Sequence, residues 1–244
     1  LCGFALALWK RNAPALLLLG WLIPYFLLVG GLHTKPIRYT TPMLPVLVIF
    51  AAWACVYAGQ KFKPQLSFAA ILPALLIGVP TLVHGLAIAQ IYGQQDSRIV
   101  ASRWVQKHIS HQSHVLVENG GFPTAWMAPA DQYNRHKTDT SSFINARDWI
   151  LPEMQIEFFR DRIATADWAI IIEENRQRQF MSVPNHYPIG ADIYTRLQNE
   201  DLGFERVAQF KIRPHVGGWF FDETDAEPTR TAFDHPTVTI YKHK

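Results

Sequence analysis

The sequence predicts a mixed architecture: a polytopic α-helical membrane segment over residues 1–95, made of three spans and the tail of another, followed by a small α/β domain over residues 96–244. Three observations lead there. All 20 acidic residues lie beyond Gln95, and the only basic residues before that point are Lys10, Arg11, Lys35, Arg38, Lys61 and Lys63. These six come as three close pairs, separated by the uncharged runs Asn12–Leu32, Tyr39–Gln60 and Pro64–Gln95, the last interrupted only by His84. Beyond Gln95 charged residues of both signs are interspersed with short apolar runs, as a water-exposed surface over a small core requires.

Each uncharged run is long enough to cross a bilayer, because twenty helical residues rising about 1.5 Å each cover a hydrocarbon core of roughly 30 Å. The spans are expected over 13–31, 42–59 and 67–92. Leu1–Trp9 is apolar and ends on Lys10 and Arg11, which reads as the end of a further span. A signal peptide would carry its charges before the apolar run, so the expectation is a C-terminal portion of a longer polytopic protein. Loops alternate sides, and basic residues are retained in the cytoplasm. Lys10, Arg11, Lys61 and Lys63 share one side against Lys35 and Arg38 on the other, which places the α/β domain outside the cytoplasm. Both cysteines, Cys2 and Cys55, fall in apolar runs, so disulfides say nothing about the compartment.

In the second half, 96–109 reads as an amphipathic helix with Ile99, Val100, Trp104 and Val105 toward one face. Strands are expected at 114–118, 168–173, 204–212 and 237–241. Helices are expected over 152–164 and around 194–198, with Gly203 as the αL cap between the latter and the strand that follows. Strands separated by helices predict a layered α/β sheet with two long irregular stretches, 122–145 and 214–236. The isoelectric point near 8.9 arises from the cationic front half, so it is not a nucleic-acid signature, and no nucleic-acid partner is expected.

Several residue groups invite a chemical reading. His108, His111 and His114 are spaced three apart, but a helix ending near Ser110 would scatter them, so they read as solvated histidines and no metal site is assigned. Asp222, Glu223, Asp225 and Glu227 lack the ligand spacing of a calcium loop and read as a solvated acidic loop. No G-x-S-x-G elbow or glycine-rich phosphate loop is present. His84, deep in an apolar run, reads as a packing residue or an intramembrane functional group. The cofactor, if any, is not legible.

The most informative segment is His33-Thr34-Lys35-Pro36-Ile37-Arg38-Tyr39-Thr40-Thr41-Pro42-Met43-Leu44-Pro45, between the first and second spans. It resembles the extracytoplasmic loop of integral membrane glycosyltransferases of the GT-C class, including protein mannosyltransferase-like and aminoarabinose transferase-like enzymes. These carry a Lys or Arg, then Arg-Tyr, then spaced prolines entering a late span. The order of late spans followed by an α/β tail is similar too. The resemblance implies transfer of a sugar from a polyprenyl-phosphate donor, a membrane lipid, to an extracytoplasmic acceptor. Lys35, Arg38 and Tyr39 would bind the donor phosphate, through charge and hydrogen bonds suited to an anion at the bilayer surface. The other reading of the same residues is a topological marker beside an interfacial tyrosine, in a membrane-anchored sensor or interaction domain. The resemblance also implies a catalytic aspartate in an early loop. Residues 1–95 hold no carboxylate, so no catalytic residue is assigned and the chain alone is expected to be inactive.

Overall fold

The computed structural model describes residues 2–32, 37–62, 71–110, 112–117, 163–172, 174–226 and 228–244. The chain divides into two compact units, Leu1–Leu86 and Ala87–Lys244. The expected helix over 152–164, apart from its end at 163–164, and the irregular stretch 122–145 lie outside the described residues.

The first unit is helical. Helix α1 is Cys2–Lys10 and α2 is Ala13–Gly31, the latter capped by Asn12 with Pro14 in its first turn. A 3-10 helix at Ile37–Met43 leads into α3, Leu44–Phe62, and α4 is Ile71–Ile91. Ala15, Leu19 and Leu22 of α2 form a small core with Ala7, Met43, Val46 and Phe50. Gly3 permits α1 to approach α3 closely: a Cβ there would sit 2.8 Å from the carbonyl carbon and Cβ of Phe50. The Phe4 ring meets Phe50 edge-on at 5.0 Å.

Two helical stretches, Ala13–Gly31 and Arg38–Lys61, are long and apolar enough to cross a membrane. Only 22% of each apolar window is buried. Helices at the core of a water-soluble protein would be mostly covered, whereas here Leu17, Leu27, Leu28, Val48 and Ile49 are exposed. The third expected span is a helix, α4, but its apolar run with described side chains, Leu75–Ile91, falls short of that length.

Among the described residues the second unit is a four-stranded sheet with helices on both faces. Its helices are α5 (Ser97–His108), α6 (Glu174–Ser182), α7 (Pro188–Gln198) and α8 (Pro228–Asp234). Its main strands are β1 (Val115–Val117), β2 (Trp168–Ile172), β3 (Phe204–Phe210) and β6 (Val238–His243). They lie in the order β1-β2-β6-β3; β1 and β2 are parallel and β6 is antiparallel to both its neighbours. Strand alternation sorts the core. Val115, Val117, Ile170, Ile172, Val238 and Ile240 pack with Ala101, Val105 and Ile109 in and after α5. Leu116, Ala169, Ile171 and Tyr241 point the other way, onto Ile193, Tyr194 and Leu197 of α7.

Strand β3 changes sides partway. Phe204 belongs to the α7 face, yet Ala208 and Phe210 pack on the α5 face. The register shift between Arg206 and Ala208 inserts one extra residue, which moves every later side chain to the opposite surface.

The structure corrects two expectations. Gly203 is not the helix cap. Helix α7 ends in a Schellman motif whose left-handed residue is Glu200, φ 62°, with Glu200 N donating to Leu197 O and Asp201 N to Arg196 O. Gly203, φ 79°, instead turns the chain into β3. The stretch 214–236 is also not irregular throughout. It holds the hairpin β4 (His215–Val216) and β5 (Trp219–Phe220) as well as α8.

Ile240 is fully buried on β6, between two partner strands. Ile240→Ala is expected to cost about 2–5 kcal/mol, measured by urea denaturation of the detergent-solubilised chain with tryptophan fluorescence as the readout.

Candidate functional site

Arg38 and Tyr39 sit at the start of the 3-10 helix, where the chain enters α3. Both are exposed, and the Arg38 guanidinium carbon lies 5.6 Å from the centre of the Tyr39 ring. Tyr39 is tied to α2: the Tyr25 hydroxyl donates to the Tyr39 carbonyl at 3.0 Å, and Tyr25 itself stacks on Trp21 at 5.3 Å. Trp21 and Tyr25 are four residues apart, on one stripe of α2. Pro42 and Pro45 shape the approach: proline is tolerated in a short 3-10 turn and in the first turn of a helix, where no backbone N–H partner is lost. The result is a cation and a phenol held at the mouth of an apolar helix. Lys35, the third residue expected there, and His33 lie outside the described residues.

A second polar cluster, which the sequence did not announce, lies where α5 begins. Asp96 caps that helix, accepting from Arg98 N at 2.8 Å, and its carboxylate also takes the Arg98 guanidinium. Burial alone pushes the Asp96 carboxyl up. The hydrogen bonds from the Arg98 side chain and backbone, with that residue's charge, outweigh burial and hold it below the usual aspartate range. Arg98 reaches on to the Phe233 carbonyl at 3.1 Å, while Ser97 Oγ donates to the Pro236 carbonyl.

Beside them Glu223 and His235 are both buried. His235 Nε2 is 2.6 Å from one Glu223 carboxylate oxygen. Arg230 Nε lies 3.0 Å from the other, an ion pair by distance without the alignment of a hydrogen bond. His235 Nδ1 has no hydrogen-bond partner among the described residues. The expectation of a solvated acidic loop is therefore corrected at Glu223. Burying a carboxylate is tolerated only with a cation or donor beside it, and Arg230 and His235 supply both. Asp222 does remain exposed, and its carboxyl is held low chiefly by hydrogen bonds from the Thr224 hydroxyl and backbone N–H. Glu223 and His235 are separated by twelve residues with α8 between them, a spacing that matches no motif.

The histidines singled out for their spacing do not converge. The His108 ring stacks on Trp104 and its Nδ1 lies 2.8 Å from the Trp104 carbonyl. His114 precedes β1, where its backbone N–H donates to the Asp167 carboxylate. His111 lies outside the described residues. Among the described residues, no three His, Cys, Asp or Glu side chains are placed to hold a metal ion. The chain matches no known protein family, no curated protein and no solved structure.

Two outcomes follow from the buried cluster. Glu223→Ala removes the carboxylate that His235 and Arg230 share, and is expected to lower the unfolding free energy by about 3–5 kcal/mol, read from the urea midpoint. Asp96→Asn keeps a capping oxygen but removes the charge. Because the folded-state value of Asp96 is depressed, its charge contributes stability above the ordinary aspartate range and loses it as the pH falls. The variant should be about 1 kcal/mol less stable at neutral pH and indistinguishable from the parent once the pH is low enough to protonate Asp96 in both states.

Proposed function

We propose that this chain is part of a polytopic membrane glycosyltransferase resembling the GT-C class, and that the Arg38–Tyr39 turn binds the phosphate of a polyprenyl-phosphate sugar donor. The observation that carries the reading is the placement of Arg38 and Tyr39 at the mouth of α3. There a guanidinium and a phenol are presented together, in a 95-residue stretch that has six basic residues and no carboxylate. A phosphate at the edge of the hydrocarbon layer needs charge-assisted donors close to apolar surface, because water there is scarce.

In this reading α4 is a third span alongside α2 and α3, and the α/β unit lies outside the cytoplasm, as the distribution of basic pairs favours. Arg38 would fork onto the phosphate oxygens, Lys35 would add a point charge, and Tyr39 would donate its hydroxyl. These groups stabilise the lipid phosphate as it departs from the sugar. The resemblance puts the base that activates the acceptor in an early loop, and residues 1–95 hold no carboxylate to match it.

The test is Arg38→Ala, with Lys35→Ala alongside, in the complete protein. Removing one charge-assisted phosphate contact should weaken polyprenyl-phosphate binding, and sugar transfer with it, by about 10- to 100-fold. Binding is measured by lipid-dependent thermal stabilisation, and transfer with radiolabelled donor. If both substitutions leave binding and transfer unchanged, the phosphate role is wrong and a membrane-anchored interaction domain becomes the better description.

A further inference from the structure

The short hairpin of the α/β unit has an unusual composition for a surface turn. Its strands pair His215 with Phe220 and Val216 with Trp219 around Gly217-Gly218. Gly217, φ 59°, takes the first turn position, where a two-residue II′ turn requires glycine. The turn thus projects Trp219, 82% exposed, and Phe220, 65% exposed. An isolated pair of two-residue strands has little stability of its own in water, so the base must be held elsewhere. Phe221 N donates to the carbonyl of the buried Pro214, closing the hairpin, and the His215 ring lies 5.4 Å from Phe220.

The base also lies beside the end of α4. Gln94 Nε2 is 3.5 Å from His215 Nδ1, and Gln94 is only three residues past Ile91, where α4 ends. Tyr92, between them, is 69% exposed. Three exposed aromatic side chains are therefore associated with the point at which the apolar helix ends. Lys211 and Arg213 lead into the hairpin, and Asp222 and Glu223 follow it, so the flanks carry two charges of each sign.

We propose that the β4–β5 hairpin is an interfacial anchor, with Trp219 and Phe220 seated in the headgroup boundary of the membrane that α4 enters. The inference rests on the reading of α4 as a span. Aromatic rings such as that of Trp219, apolar in body with one polar edge, concentrate at that boundary. Beside the emerging helix the tip has a partner within reach that needs no protein recognition, and one contact there holds the α/β unit against the bilayer.

The experiment places a fluorophore sensitive to its surroundings on the hairpin of the complete chain in vesicles containing anionic lipid. The native thiols are removed by Cys2→Ser and Cys55→Ala. The label is attached through Gly218→Cys, where an added Cβ meets nothing within 4 Å, or through Gly78→Cys in α4, which is equally open. The Gly218 label should emit to the blue of its value in water and be quenched by a nitroxide carried near the lipid headgroup. Both effects should be lost when Trp219→Ser and Phe220→Ser are combined. A water-like Gly218 signal while the Gly78 label is quenched from within the lipid overturns the anchor and leaves the span standing. A blue-shifted Gly218 label indifferent to the lipid nitroxide means that protein covers the tip, which also overturns it. If the Gly78 label itself escapes lipid quenching, α4 is not a span and the anchor falls with it.

Discussion

Asp96 is the first carboxylate in the sequence, and it is also the residue that closes the N-terminus of α5. The two facts belong together. The described residues before Asp96 lie mostly in the apolar helices α1 to α4, whose surfaces carry no carboxylate. At Asp96 the chain can first use charge to terminate and start structure, and it does so at once through Arg98. That guanidinium binds the cap and the Phe233 carbonyl, while the neighbouring Ser97 holds Pro236. The start of α5 is thereby fastened to the approach to β6, and the sheet is built against a helix whose entry point is set.

The same junction explains why a buried Glu223–His235 pair is tolerated nearby. Pairs of this kind contribute little net stability compared with apolar residues of similar shape, but removing one member is costly. Arg230 on α8 and His235 just past it grip the same carboxylate from two places.

What could be read from the residues follows from the range of the interactions involved. Helix positions in the apolar half depend on local composition: the run 13–31 predicts a helix, and α2 is Ala13–Gly31. β2 and β6 were legible because Trp168–Ile172 and Val238–Tyr241 are β-rich and bounded by polar residues. Helix α6 is not legible because Glu174–Ser182 is largely polar, its only large apolar residues being Phe180 and Met181 near its end. The Gly217-Gly218 pair is a hairpin signal, but the strands beside it, two residues each, are too short to show alternation. Glu200 was illegible as a left-handed cap because a glycine stood three residues away, and local preference favours glycine. The Arg38–Tyr39 proximity follows from adjacency in sequence. The Glu223–His235 pair is tertiary and leaves no periodic trace.

Strand order has a consequence for synthesis. β6 comes after every other strand in the sequence, yet it lies inside the sheet, between β2 and β3. While the ribosome is still short of residue 238, β2 and β3 have no common partner, and β1 with β2 makes only a single parallel pair. The apolar helices can enter a bilayer as they emerge, because each satisfies its own backbone. In the α/β unit, β2 and β3 each keep an unpaired edge until β6 follows them from the ribosome.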